Sequence, residues 1–154
     1  MKKSFGVLMY RLRDGKPEFL LVHPGGPFFK NKDVGVWTIP KGEGMADEEP
    51  LDSAIREFEE ETGFRPEGSF IPLEPIVQKG GKQVFCWAVA GEFDVKTLQS
   101  NVFPLVWPPR SGKTIMVPEV DKASWFSLEE ARSKINERQA ALLDQVLNII
   151  QNKQ

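Results

Sequence analysis

The sequence predicts a fold of the α/β or α+β class, in which helices cover a mixed sheet. Three observations lead there. Short apolar runs bounded by turn residues interleave with segments whose apolar residues recur at helical spacing. Hydrophobic residues make up 40% of the 154, with 11 Phe and 4 Trp, which is enough to bury a core and argues against disorder. No internal repeat, low-complexity tract or linker divides the chain, so one domain over residues 1–154 is expected.

Ser4 to Arg13 and Glu18 to His23 read as the strands of a hairpin, because Asp14-Gly15-Lys16-Pro17 between them is turn chemistry. His23-Pro24-Gly25-Gly26-Pro27 breaks either regular structure and reads as a loop. Val36 to Ile39 is a short apolar strand stopped by Pro40. A helix starts near Pro50, since proline is tolerated where its missing N–H is not needed. Leu51, Ala54, Ile55, Phe58 and Thr62 form its mostly apolar stripe, and Gly63 is placed to cap it. Ile71 to Val77 and Val84 to Val89 are two further strands. Thr97 to Pro118 is Pro-rich and reads as a long loop with one strand at Phe103 to Trp107. A short strand ends at Trp125-Phe126. Ser127 and Glu130 make a capping box for a helix with Leu128, Ala131 and Ile135 inward. Asn136 and Gln139 repeat that pattern before a final helix with Leu142, Leu143, Val146, Leu147 and Ile150 on its apolar face.

Composition excludes several classes of function. Lys+Arg number 20 and Asp+Glu 22, a net charge of −2, so a nucleic-acid polymer is not the expected partner. Lys2-Lys3 precede only a short apolar run that Arg11 and Arg13 interrupt, so a signal segment is not expected. Nothing approaches the roughly 20 apolar residues that cross a bilayer. Cys86 is the sole cysteine, so an intrachain disulfide and an all-cysteine metal site are impossible. It reads as a small buried hydrophobe in a strand. The expectation is a soluble cytoplasmic protein with no membrane partner.

The most informative stretch is Arg56-Glu57-Phe58-Glu59-Glu60-Glu61-Thr62-Gly63. At roughly 100° per residue, Glu57, Glu60 and Glu61 share one helical face while Glu59 points elsewhere. Like charges so spaced repel by about 0.2–0.5 kcal/mol per pair. They also sit at the negative end of the helix dipole. A divalent cation reverses the sign of that interaction, and clustered carboxylate oxygens suit Mg²⁺ or Mn²⁺. Upstream, Trp37-Thr38-Ile39-Pro40-Lys41-Gly42-Glu43 ends a strand and opens a loop at Lys41-Gly42. Gly42 permits close backbone approach, its carbonyl is a further candidate ligand, and Lys41 is a candidate for meeting a phosphate.

Gly42, Glu48, Arg56, Glu57, Glu60, Glu61 and Gly63, with Phe58 and Phe64 at two bulky apolar positions, make nine specified positions over residues 42–64. This string resembles the Nudix box, the signature of the Nudix hydrolases. The resemblance implies an α/β/α sandwich, with Trp125-Phe126-Ser127-Leu128-Glu129-Glu130-Ala131 as its closing strand and helix. It also implies hydrolysis of a nucleoside diphosphate linked to another moiety, by water attack on phosphorus. Glu57, Glu60 and Glu61 are then the metal ligands. Glu60 or Glu61 is the base within the box, unless a glutamate from outside the box takes that part, and Glu48 and Arg56 are supports that orient the ligands. Members often supply a further carboxylate from later in the chain, which makes Glu119 a candidate ligand or base.

Outside the box the candidates are weaker. Arg110 and Lys113, in Trp107-Pro108-Pro109-Arg110-Ser111-Gly112-Lys113, are cations on a loop that could hold phosphates or a base. Lys30 and Lys32 could face phosphates. His23, the lone histidine, reads first as structural and second as the edge of a site. The substrates implied are a small-molecule nucleoside triphosphate, a dinucleoside polyphosphate or a nucleotide sugar. A Nudix module that binds a nucleotide or a protein without cleaving it is the alternative, and a degraded box would favour it. Here the box is intact.

Overall fold

The computed structural model describes residues 2–152. Its strands are β1 (Lys3–Arg13), β2 (Lys16–Pro24), β3 (Lys41–Glu43), β4 (Ile71–Pro72), β5 (Ile76–Val77), β6 (Gln83–Ala90), β7 (Val102–Val106), β8 (Thr114–Pro118) and β9 (Val120–Ser127). Its helices are α1 (Pro50–Thr62), α2 (Leu128–Lys134) and α3 (Ala140–Asn152).

β1 is apolar on both faces because both faces are covered. It runs parallel to β6, with Lys3 beside Gln83 and Tyr10 beside Ala90. Its other edge is shared: β3 takes the first part, Ser4 to Gly6, and β2 the last, from Tyr10 onward. β2 then carries β9, which completes the order β4-β6-β1-β2-β9. The β1–β2 hairpin turns on Asp14 and Gly15 at φ 53° and 77°, the left-handed pair that an Asp-Gly turn supplies.

On one side of the sheet, Val7, Met9, Leu20 and Val89 pack with Ala54 and Phe58 of α1. On the other, Leu8, Phe19, Leu21, Val84 and Cys86 pack with Ala131, Leu142, Leu143 and Val146 of α2 and α3. The result is the expected mixed sheet between helices, of the α/β class. Ser127 and Glu130 form the capping box at the head of α2, and Gly63, at φ 81°, closes α1.

Several expectations give way. Ile71 to Val77 is two short pieces, both on β6: Leu73 N–H still donates to the Cys86 carbonyl, and Glu74-Pro75 interrupts the pairing. Val36 to Ile39 is not a strand of the sheet but two isolated bridges, Thr38 to Val22 and Trp37 to Ile135. Lys41-Gly42 is not a loop; it is β3, held by the free edge of β1. Thr97 to Pro118 contains a β7–β8 hairpin rather than one strand in a loop. Its Pro104 is tolerated because a two-stranded sheet is all edge. The strand expected to end at Trp125-Phe126 is β9, which ends at Ser127 and is eight residues long. Asn136 caps a 3₁₀ turn at Arg138 rather than a helix. Gln139, fully buried, instead accepts the Ile39 amide at 3.0 Å, and so steadies the segment that enters β3.

Candidate functional site

α1 lies against β1 and β3, and its exposed side carries Glu59. Glu57 and Glu61, one turn apart, face inward and are only 8% and 7% exposed. Gly42 of β3 lies directly against Glu57, and a Cβ at that position would fall on the Glu57 carboxylate. Any side chain at 42 would therefore displace that carboxylate. Glu119, between β8 and β9, completes the group: one carboxylate oxygen from each of Glu57, Glu61 and Glu119 lies within 4.8 Å of the others. Glu61 and Glu119 open onto a cleft of about 170 Å³, which Lys41 and Thr38 also line.

Arg56 ties the acids together. Its Nε and Nη2 donate to the two Glu48 oxygens at 2.8 and 3.0 Å. Its Nη1 donates to Glu57 at 2.9 Å and to Glu60 at 3.1 Å, and Nη2 also reaches the Glu43 carbonyl at 3.1 Å. Glu48 accepts further bonds from Ser53 Oγ and the Met45 amide. This holds its carboxyl down to about 2, chiefly through Arg56. Arg56 and Glu48, expected as supports, are joined by these bonds to Glu57 and Glu60. Glu60, expected beside Glu57 and Glu61 as a ligand, shares the helical face and accepts from Arg56 through both carboxylate oxygens; the three acids that converge within 4.8 Å are Glu57, Glu61 and Glu119.

Burial pushes the Glu57, Glu61 and Glu119 carboxyls above the usual glutamate range, and the charges of neighbouring carboxylates add to the shift. Burial, with Lys82 nearby, lowers the Lys41 ammonium, while Glu61 and Glu57 oppose that effect. The crowding of two buried acids and a third half-buried one fits a hard divalent cation such as Mg²⁺ or Mn²⁺, whose preferred donors are carboxylate oxygens.

A pH dependence follows. Each raised carboxyl stabilises the metal-free fold below its unfolded value of 4.5, and that contribution is lost as pH climbs through the raised value. Glu48 acts in the opposite sense: its contribution is present above 4.5 and is lost as pH falls toward about 2. Millimolar Mn²⁺ should therefore raise the melting temperature more at about pH 8 than at about pH 5.5. Melting curves with Mn²⁺ and with chelator check this; an increment independent of pH would count against it.

The other candidates lie apart. Arg110 and Lys113 stand exposed at the tip of the β7–β8 hairpin and do not border this cleft. Lys30 and Lys32 line a separate cleft with Lys122 and Lys134. His23 is fully buried, with Nε2 donating to the Lys32 carbonyl at 2.6 Å and Nδ1 2.8 Å from Asp121, the satisfied structural histidine read first. Two positions at the site escaped the sequence reading. Gly25 donates its amide to the Glu119 carbonyl, and Asn101 accepts the Glu119 amide. Both act through the backbone, which leaves no side-chain signature. Among the described residues no helix is long and apolar enough to cross a membrane.

Known proteins share the family and the fold. The family model described as NUDIX domain matches residues 2–146. The mRNA-decapping protein g5R of African swine fever virus (isolate Warthog/Namibia/Wart80/1980) is 30% identical over 137 residues, covering 80% of this chain. The chain spans about half (51%) of that viral protein's length. Among solved structures, a C. elegans Ap4A hydrolase binary complex superposes with a TM-score of 0.68 at 24% identity, over 99% of both chains. The NUDIX domain of Shewanella oneidensis NrtR, complexed with ADP ribose, superposes with a TM-score of 0.68 at 16% identity, over 97% of this chain and 88% of that one. These likenesses speak for the fold. Because one relative is named for mRNA decapping, net charge alone does not exclude a nucleic acid as partner. With the full box in place and the family model spanning nearly all of its length, the chain belongs to the NUDIX family.

Proposed function

We propose that the chain is a divalent-metal-dependent pyrophosphohydrolase that cleaves the diphosphate linkage of a nucleotide, either a nucleoside triphosphate or a dinucleoside polyphosphate. The observation that carries this is the convergence of Glu57, Glu61 and Glu119 within 4.8 Å beside Lys41. A cation bound there supplies charge neutralisation of the diphosphate and eases ionisation of water.

The chain's own residues do the rest. Glu57, Glu61 and Glu119 would hold the cation, and Gly42 of β3, which packs against Glu57, is the candidate to add its carbonyl. Arg56 fixes Glu57 and Glu60 by donating to both, and Glu48 fixes Arg56 by accepting two of its bonds. Lys41 sets a positive charge beside the phosphate oxygens. Water oxygen bonds to phosphorus, the bridging P–O bond breaks, and the water proton passes to a glutamate. Glu60 and Glu61 are the two candidates for that acceptor, one at the rim beside Arg56 and the other inside the carboxylate group. Arg110 and Lys113 meet the part of the substrate outside the cleft. The site belongs to a cytoplasmic enzyme in this reading.

A panel tests it: nucleoside triphosphates, diadenosine polyphosphates, ADP-ribose and nucleotide sugars, with products separated by chromatography in Mg²⁺, in Mn²⁺ and in chelator. A capped RNA joins the panel because of the viral relative's name. Metal-dependent cleavage at a diphosphate of a triphosphate or dinucleoside polyphosphate is expected. Binding without products across the panel would leave a non-catalytic module.

A further inference from the structure

We propose that Gly25 is a positioning residue: lacking a side chain, it lets the loop after β2 close on Pro118 and so sets the depth at which Glu119 meets Glu57 and Glu61. This rests on the reading of Glu119 as a metal ligand.

The β2–β9 ladder keeps one register from Glu18 opposite Ser127 to His23 opposite Lys122, and then slips. Pro24 meets Val120, so Asp121 is the extra residue of a bulge. The displaced residue is fixed by the fully buried His23, whose Nδ1 lies 2.8 Å from its carboxylate. Beyond the slip, both backbone groups of Glu119 are held. Gly25 N–H donates to the Glu119 carbonyl at 2.9 Å, and Glu119 N–H donates to the Asn101 carbonyl at 2.8 Å. Asn101 N–H in turn donates to the Glu60 carbonyl at 2.8 Å, in the turn of α1 that carries Glu57 and Glu61. The third carboxylate is thus tied to the helix of the other two through main-chain bonds, which do not change with protonation.

Gly25 is the point at which this tie tolerates nothing larger. Its φ lies outside the left-handed region, so the turn itself admits any residue; but a Cβ there would fall on the Pro118 carbonyl oxygen. That oxygen is backbone and cannot rotate aside. A side chain at 25 forces this contact open, and any shift of Pro118 carries Glu119, the next residue, with it. Metal sites tolerate ligand errors of only about 0.2 Å, so a small displacement is enough.

Gly25→Ala, Glu119→Gln and the double variant test this, with Mn²⁺ affinity measured by titration calorimetry without substrate and melting temperature in chelator. Gly25→Ala is expected to weaken Mn²⁺ binding about 10–100-fold, and to add nothing in the Glu119→Gln background. Asp121→Ala, which frees the bulge at an exposed side chain, should weaken binding in the same Glu119-dependent way and serves if Gly25→Ala does not fold. Wild-type affinity in Gly25→Ala beside weakened Glu119→Gln overturns the proposal, as does equal weakening with and without Glu119. If Gly25→Ala does not fold, wild-type affinity in Asp121→Ala overturns it. Wild-type affinity in Glu119→Gln overturns the ligand reading and the proposal with it.

Discussion

Glu61→Gln is expected to abolish stabilisation by Mn²⁺ and to lower turnover about 10²–10⁴-fold, while the fold persists. Glu61 is the most deeply set of the three converging acids, 7% exposed and raised in pKa first by burial and then by Glu119. The amide keeps the volume and removes the charge. Without metal, the variant should melt higher than the wild type once pH has risen through the raised Glu61 value, because the wild type must then hold a buried charge beside other carboxylates. Glu60→Gln separates the two roles. Its carboxylate lies outside the converging group, so Mn²⁺ affinity should be kept while kcat falls if Glu60 accepts the proton. Calorimetric titration and melting curves of both variants check this. Undiminished Mn²⁺ stabilisation in Glu61→Gln would remove the basis of the metal reading.

Arg56→Ala should lose both stability and activity. One guanidinium bonds to Glu48, Glu57 and Glu60 and to the Glu43 carbonyl. Its side chain is 22% exposed, between the limits of a surface pair and a buried one. Loss of about 2 kcal/mol is reasonable for such a group, or roughly 4–8 °C in melting temperature for a chain of this size. Arg56→Lys should recover only part, since a point charge cannot reproduce a planar fork that reaches several acids at once. The acid limb will also change. In the wild type, Glu48 contributes above pH 4.5 and loses that contribution as pH falls toward about 2. In the variant that part of the curve should flatten. A melting temperature equal to the wild type would mean that the network is only a surface arrangement.

What could be read from the sequence was what local spacing controls. The inward pairing of Glu57 and Glu61 follows from a separation of four residues on a helix, and the Ser127–Glu130 box from a separation of three. What could not be read depended on tertiary register. Lys41-Gly42-Glu43 has nothing in its three residues to mark a strand; the free edge of β1 makes it one. Glu119 was a candidate only through the family resemblance, and its approach to α1 depends on a bulge and on Asn101. Arg56 bonds Glu57 and Glu60 alike, so which acids of the shared face converge with Glu119 was not legible from spacing. Pro104 and the prolines around it argued for a loop, while a hairpin with two open edges accommodates them.

The division of the edge of β1 bears on how the chain reaches this arrangement. Lys3 finds Gln83 on one side, and Ser4 finds Glu43 on the other. Loops of that size must close first, each at an entropic cost that grows as about (3/2)RT ln n. The acids on α1 and the one ahead of β9 meet through pairings far apart in the chain, not through local sequence. A cation would therefore act as a latch on the finished molecule rather than a template for it, slowing the rate at which the protein opens and leaving the rate at which it assembles nearly unchanged.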